Sequence, residues 1–175
     1  MKSITLKITT RTYGDHMPPQ AGDTDITKEE EDVILNSVEK IAPELPEDSD
    51  TDTIELVTIA TMDFDADGRC TIAYRESELS GMEGTVTKLT FLSDDRSILS
   101  IIREGAVNST LVLEAGKIHT GLYQTPVMPL EIAARTYRLD NTVTPVGGTI
   151  HAEYALRIGT VTATRMRMTA VVQPH

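Results

Sequence analysis

Tryptophan is absent, and Phe and Tyr together make up only 4% of the 175 residues. A core built from this sequence must therefore be aliphatic, drawn mainly from Ile, Leu, Val, Ala and Met. A single cysteine, Cys70, excludes any internal disulfide. That fits a reducing compartment. With one Cys and four scattered His, no zinc-ligand spacing can be assembled locally, so no metal or other cofactor is expected. No window reaches the roughly 20 apolar residues of a membrane span. The opening Met1-Lys2-Ser3-Ile4-Thr5-Leu6-Lys7 alternates apolar with polar and carries Lys7 where a signal peptide would be greasy. A soluble, cytoplasmic protein without a membrane partner is the expectation.

Basic charge is scarce in one place. Residues 15–55 hold fourteen acidic groups and two basic ones, Lys28 and Lys40, whereas the whole chain carries −11. The stretch alone accounts for −12, and the remainder is close to neutral. Nucleic acid is disfavoured as a partner, since phosphates meet net repulsion and no basic stripe.

Period-two patterning is abundant. Cys70, Ile72 and Tyr74 alternate with Thr71, Ala73 and Arg75, while Ile150, Ala152, Tyr154, Leu156 and Ile158 alternate with more polar neighbours. Such alternation marks half-buried strands. The runs predict strands at 3–12, 53–64, 69–77, 85–93, 97–104, 109–115, 117–125, 130–139, 149–158 and 160–172. Turn signals separate them, among them Asp67-Gly68, Ser93-Asp94-Asp95-Arg96, Ala115-Gly116-Lys117 and Gly147-Gly148. Links this short make neighbours antiparallel. A sandwich and a closed barrel both bury one apolar face, and closure also removes the exposed edges. The sequence thus predicts one all-β domain over 1–175, an antiparallel barrel of about 8–10 strands.

An insertion at 14–52 breaks the pattern. Pro18-Pro19 and Gly22 suggest a loop, and Thr27-Lys28-Glu29-Glu30 reads as a capping box. Val33, Ile34, Val38 and Ile41 fall on one stripe of a helix that Pro43 and Pro46 end. One short helix in an acidic insertion is the expectation.

Three further stretches carry a resemblance: Tyr74-Arg75-Glu76-Ser77-Glu78-Leu79-Ser80-Gly81-Met82-Glu83-Gly84-Thr85, Gly105 through Glu114, and Gly116 through Pro126. Together they resemble the bacterial YwiB-like family, also described as domain of unknown function 1934, whose members are similar to the calycins (lipocalin-like barrels). The resemblance runs from about Thr53 to about Val172 and adds the first strand. It implies a calycin-like barrel and leaves activity open, because that scaffold hosts binding, inhibition and catalysis alike.

Seven residues form the candidate ligand-binding set: Arg75, Glu76, Glu83, Asn108, His119, Tyr123 and Arg135. His119 and Tyr123 share one face of a strand and could orient a polar ligand in an apolar pocket. They could equally be structural. Glu76, Glu78 and Glu83 flank a Gly-rich turn within cross-strand reach of Arg75, Arg103 and Arg135, which would suit an anionic or zwitterionic ligand. A salt-bridge ladder on the outer wall is the plain alternative. Cys70 reads as an inert buried thiol, Asn108 as part of a bent strand junction, and Met128, Met166 and Met168 as core fillers. No nucleophile elbow, zincin motif or dinucleotide fingerprint occurs, so no catalytic residue is assigned. The leading reading is non-catalytic binding of a small molecule in the barrel. The alternative is an interaction module whose acidic insertion binds a basic protein partner.

Overall fold

A computed structural model describes residues 1–13, 51–125, 127–160 and 163–175. Ten strands follow one another in chain order: β1 (Lys2–Tyr13), β2 (Thr51–Phe64), β3 (Arg69–Arg75), β4 (Thr85–Leu92), β5 (Ile98–Gly105), β6 (Asn108–Glu114), β7 (Ile118–Gln124), β8 (Pro129–Asn141), β9 (Gly148–Ile158) and β10 (Thr164–Pro174). Each pairs with the next, and β1 pairs with β10, which closes an antiparallel barrel. All ten expected strands form. Their ends differ by a few residues. β2 takes up Thr51 and Asp52 from the expected insertion, and β10 begins at Thr164 because Gly159 and Thr160 form a turn. The expected helix at 27–41 lies outside the described residues.

Alternation decides which side of each strand faces inward. Ile4, Leu6 and Ile8 of β1, Cys70 and Ile72 of β3, Leu89 and Phe91 of β4, and Ala170 and Val172 of β10 all belong to one buried cluster. Lys7, Lys88 and Arg11 point the other way. The apolar face is turned inward and polar side chains outward, the reverse of a barrel whose wall faces lipid. No helix among the described residues is long and apolar enough to cross a membrane.

The up-and-down connectivity divides the interior into two ends. The lower end, where β1 starts and β2 stops, is packed with Ile4, Leu6, Met62, Ile72, Leu89, Leu99, Leu113 and Ile150, and Val143 from the β8–β9 link joins them. At the upper end β1 stops at Tyr13 and β2 starts at Thr51. On the β3–β6 side the inward positions there are polar, and Glu76, Thr85, Thr87 and Ser109 are all buried, whereas Leu56, Leu156, Ile158 and Met166 keep the other side apolar.

Two local devices hold the turns. Asp65 accepts backbone N–H bonds from Asp67 (3.0 Å) and Arg69 (2.8 Å) through Oδ1, which fixes the β2–β3 hairpin. On β8 a bulge between Thr136 and Arg138 shifts the register against β9 at Tyr137. Tyr137 then stacks on Arg165, whose guanidinium carbon lies 3.6 Å from the ring centroid on the outer wall. Met168 is buried and Met166 packs against the core as expected, but Met128 is 38% exposed, because it lies in the β7–β8 link outside the barrel.

Candidate functional site

At the upper end, five inward residues stand side by side across five strands. Tyr74 of β3 is opposite Thr87 of β4, Thr87 is opposite Arg103 of β5, Arg103 is opposite Ser109 of β6, and Ser109 is opposite Tyr123 of β7. Glu76, two residues beyond Tyr74, accepts a 2.6 Å hydrogen bond from Thr87 Oγ1 in a buried setting. The result is a polar belt one residue deep above an apolar plug.

The belt holds its hydrogens in a defined pattern. Burial pushes the Tyr74 phenol far above its usual range, and the neighbouring Glu76 carboxyl adds to the effect. Tyr74 therefore stays a neutral O–H group that bonds with both Glu76 and Thr87. Tyr154, from the opposite wall, is likewise raised by burial, with Arg103 acting against the shift. Arg103 is the cation of the belt, yet among the described residues its buried Nε has no hydrogen-bond partner, nor has the buried Oγ of Ser109 beside it. Buried polar atoms are ordinarily paired, and each orphan costs on the order of 1–3 kcal/mol. Two such atoms lie on directly opposed residues, which makes this the least satisfied part of the belt among the described residues.

The rim above is shaped by a turn. Gly105 N–H donates to Asn108 Oδ1 (3.2 Å), and Asn108 Nδ2 donates back to the Gly105 carbonyl (3.1 Å). Gly105 takes φ +132, and a Cβ there would stand 2.3 Å from the Gly84 carbonyl oxygen. Only glycine fits. An open cleft of about 410 Å³ lies at this rim, lined by Gly105, Ala106, Asn108, Gln124, Thr125 and Pro129.

Of the seven residues expected from sequence, Glu76 and Tyr123 stand in the belt, and Asn108 lines the rim cleft while bracing the turn. The other four lie elsewhere. Arg75 and Glu83 are exposed. His119 lies toward the lower end, its Nε2 3.1 Å from Glu114 Oε2. The Lys117 ammonium and His119 hold the Glu114 carboxyl below its usual range despite some desolvation. Thus His119 and Tyr123 share a strand face without sharing a site. Arg135 is on the outer wall, 5.6 Å from the Tyr137 ring. Tyr74, Thr87, Ser109 and Tyr154 are not among the residues expected from sequence, and Arg103 was expected only as a cross-strand partner of Glu76, Glu78 and Glu83. The usable signal was parity: each occupies an inward position that an aliphatic residue fills lower in the barrel.

A second cluster occupies the outer wall. His151 Nδ1 is 3.1 Å from Thr169 Oγ1, its Nε2 is 3.3 Å from Glu153 Oε1, and Arg167 and Arg165 reach Glu153 at 3.1 and 3.6 Å. The order resembles a hydroxyl–imidazole–carboxylate relay, but the Arg pair neutralises the carboxylate and the group lies on a convex wall. It reads as a structural network. Cys70 is buried in the apolar lower half, and desolvation pushes its thiol up to about 12, so it is no nucleophile. Among the described residues no group of three or more His, Cys, Asp or Glu could hold a metal ion.

Comparison with known proteins accords with this picture. The profile of the family described as "Domain of unknown function (DUF1934)" matches residues 40–169. Among solved structures, the ywiB protein from Bacillus subtilis superposes with a TM-score of 0.69 at 14% identity, covering 99% of this chain and 92% of that one. At that identity the likeness speaks to the fold. None of the curated proteins matches.

Proposed function

The chain belongs to the family described as domain of unknown function 1934, and we propose that within it the protein is a calycin-like binding barrel that takes a small anionic or zwitterionic molecule at its upper rim without chemically altering it. One observation carries this reading. Arg103 and Ser109 stand opposite each other with buried polar atoms that have no hydrogen-bond partner among the described residues. A carboxylate or phosphate oxygen is the group that answers a guanidinium and a hydroxyl together. Glu76, bonded by Thr87 and Tyr74, would receive a cationic end. Tyr123 supplies an aromatic wall, and Asn108 shapes the entrance. Of the remaining expected residues, Arg75 and Glu83 flank the connection that follows β3 and could act only at the outer edge. His119 and Arg135 belong to this reading as supports of the wall.

Binding is favoured over catalysis by the chemistry present. The belt has hydrogen-bonding groups but no activated nucleophile, because Tyr74 is held protonated and Cys70 is buried elsewhere. A free, unoxidised thiol also suits the cytoplasm, where this reading places the protein.

Native mass spectrometry of the untagged protein, with identification of whatever denaturation releases, tests the proposal. A stoichiometric anionic small molecule that disappears in Arg103→Met supports it. A wild-type protein that is bare, and remains bare after incubation with a panel of carboxylates and phosphate esters, would sink it.

A further inference from the structure

Strands β8 and β9 present a crossed square of residues on their outer faces. Arg135 of β8 stands opposite Ala155 of β9, and Ala133 of β8 stands opposite Arg157 of β9. The residues between them, Ile132, Ala134 and Leu156, face the core. Two arginines thus occupy one diagonal of the square and two alanines the other, with diagonal positions about 7–8 Å apart. Both alanines are buried, and Tyr137 and Ala163 pack against them. Short side chains make a floor that the two arginines flank.

Their charges are not answered locally. Arg157 is only 7% exposed, and its Nε has no hydrogen-bond partner among the described residues. Burial disfavours its charge and holds its pKa below the usual arginine value, with Glu131 acting in the other direction. Arg135 lies 5.6 Å from the Tyr137 ring centroid. Among the described residues neither arginine forms an ion pair. The neighbouring carboxylates are engaged elsewhere: Glu153 with His151, Arg165 and Arg167, and Asp140 with Arg138. A buried cation without a counter-charge is unfavourable, and a second cation beside it adds repulsion. An anion bridging the pair removes both penalties.

We propose that Arg157 and Arg135 form a second anion site, on the outer wall, which takes the phosphoryl group of a small molecule. A phosphoryl group suits the pair better than a carboxylate does. It carries up to two negative charges for two cations, and its three oxygens can serve both guanidinium forks. Arg165, opposite Ala155 on β10, adds positive potential from a third strand while remaining tied to Glu153 and Tyr137. The site is separate from the belt, whose Arg103 and Ser109 face inward.

Thermal melts of the full chain at constant ionic strength test this, in chloride and with about 10 mM inorganic phosphate, pyrophosphate or phenyl phosphate. Arg157→Met keeps the apolar stem over the floor and removes the charge. In chloride it should melt at or above the wild type, because it relieves an uncompensated buried cation. With phosphate the wild type should gain about 2–4 °C more than the variant, and the gain should saturate. Arginine Nε–H resonances, assigned with Arg157→Met and Arg135→Gln, show by NMR where the anion sits, and those of Arg157 and Arg135 should shift on titration. Phenyl phosphate binding tighter than inorganic phosphate supports an ester as occupant, and the reverse supports free phosphate. An equal gain in both proteins overturns the proposal, as does no saturable gain with any probe. Shifts confined to Arg103 would put the anion in the belt and overturn this site alone. An Arg157→Met protein that melts below the wild type in chloride also overturns it, since the chain's own groups would then satisfy Arg157.

Discussion

Thr87 donates its hydroxyl hydrogen to Glu76 across 2.6 Å, from a position directly opposite Tyr74 on the neighbouring strand. This short bond ties the end of β3 to β4 where the chain leaves the barrel for the exposed link that contains the 3-10 turn Glu78–Ser80. Thr87→Val keeps the shape and removes the donor. Hydrogen bonds in buried settings carry their largest penalty when one partner is lost, about 1–3 kcal/mol. Thr87→Val should therefore lower the free energy of unfolding by that amount, read from an earlier urea midpoint at unchanged slope, with Thr87→Ser recovering most of it. If valine is as stable as threonine, the bond contributes nothing and the belt is not ordered by it.

A second prediction concerns the seam between β6 and β7. Only Asn108↔Gln124 and Ser109↔Tyr123 pair there, whereas most other seams carry longer ladders. Gly121 sits where a Cβ would lie 2.7 Å from the Thr110 carbonyl oxygen, a backbone atom with little freedom to move. Gly121→Ala must push the strands apart. Overpacking of this kind costs typically 1–3 kcal/mol, and a melt within error of the wild type would show that the seam opens freely.

Much of the fold was legible because an alternating pattern specifies both strand and facing. Cys70, Ile72 and Tyr74 were readable as inward from their spacing alone, and all three are buried. The candidate site was legible only in part. Glu76 and Tyr123 emerged from motif and parity together, but the grouping of Arg75, Arg103 and Arg135 did not hold. These three sit on β3, β5 and β8, and only Arg103 has inward parity. Register between strands brings Arg103 opposite Ser109, and register depends on the whole barrel rather than on local residues.

Cys70 offers a direct report on global unfolding. Its side chain is fully buried, and loss of solvation raises its thiol to about 12. Exchange and alkylation need the thiolate. A maleimide or iodoacetamide pulse at pH 8 should leave the native protein unlabelled and should label it fully in denaturant. Rapid native labelling would mean that β3 opens locally, well below the free energy of complete unfolding.

The outer-wall network yields a pH dependence whose sign can be worked out. Partial burial disfavours the charged Glu153 carboxylate, but the His151 hydrogen bond and the charges of Arg167 and Arg165 outweigh it, so its pKa lies below the usual glutamate value of 4.5. A carboxylate with a depressed folded pKa binds fewer protons folded than unfolded near that range. Its stabilisation is fully present above the unfolded value and disappears as pH falls through the folded one. Glu153→Gln should then melt at a lower temperature than wild type at pH 7, and the gap should close progressively below about pH 4.5. Melts of both proteins from pH 3 to 7 separate the two outcomes. A gap that stays constant with pH would assign the effect to lost packing, and the charge network on β9 and β10 would then be incidental to stability.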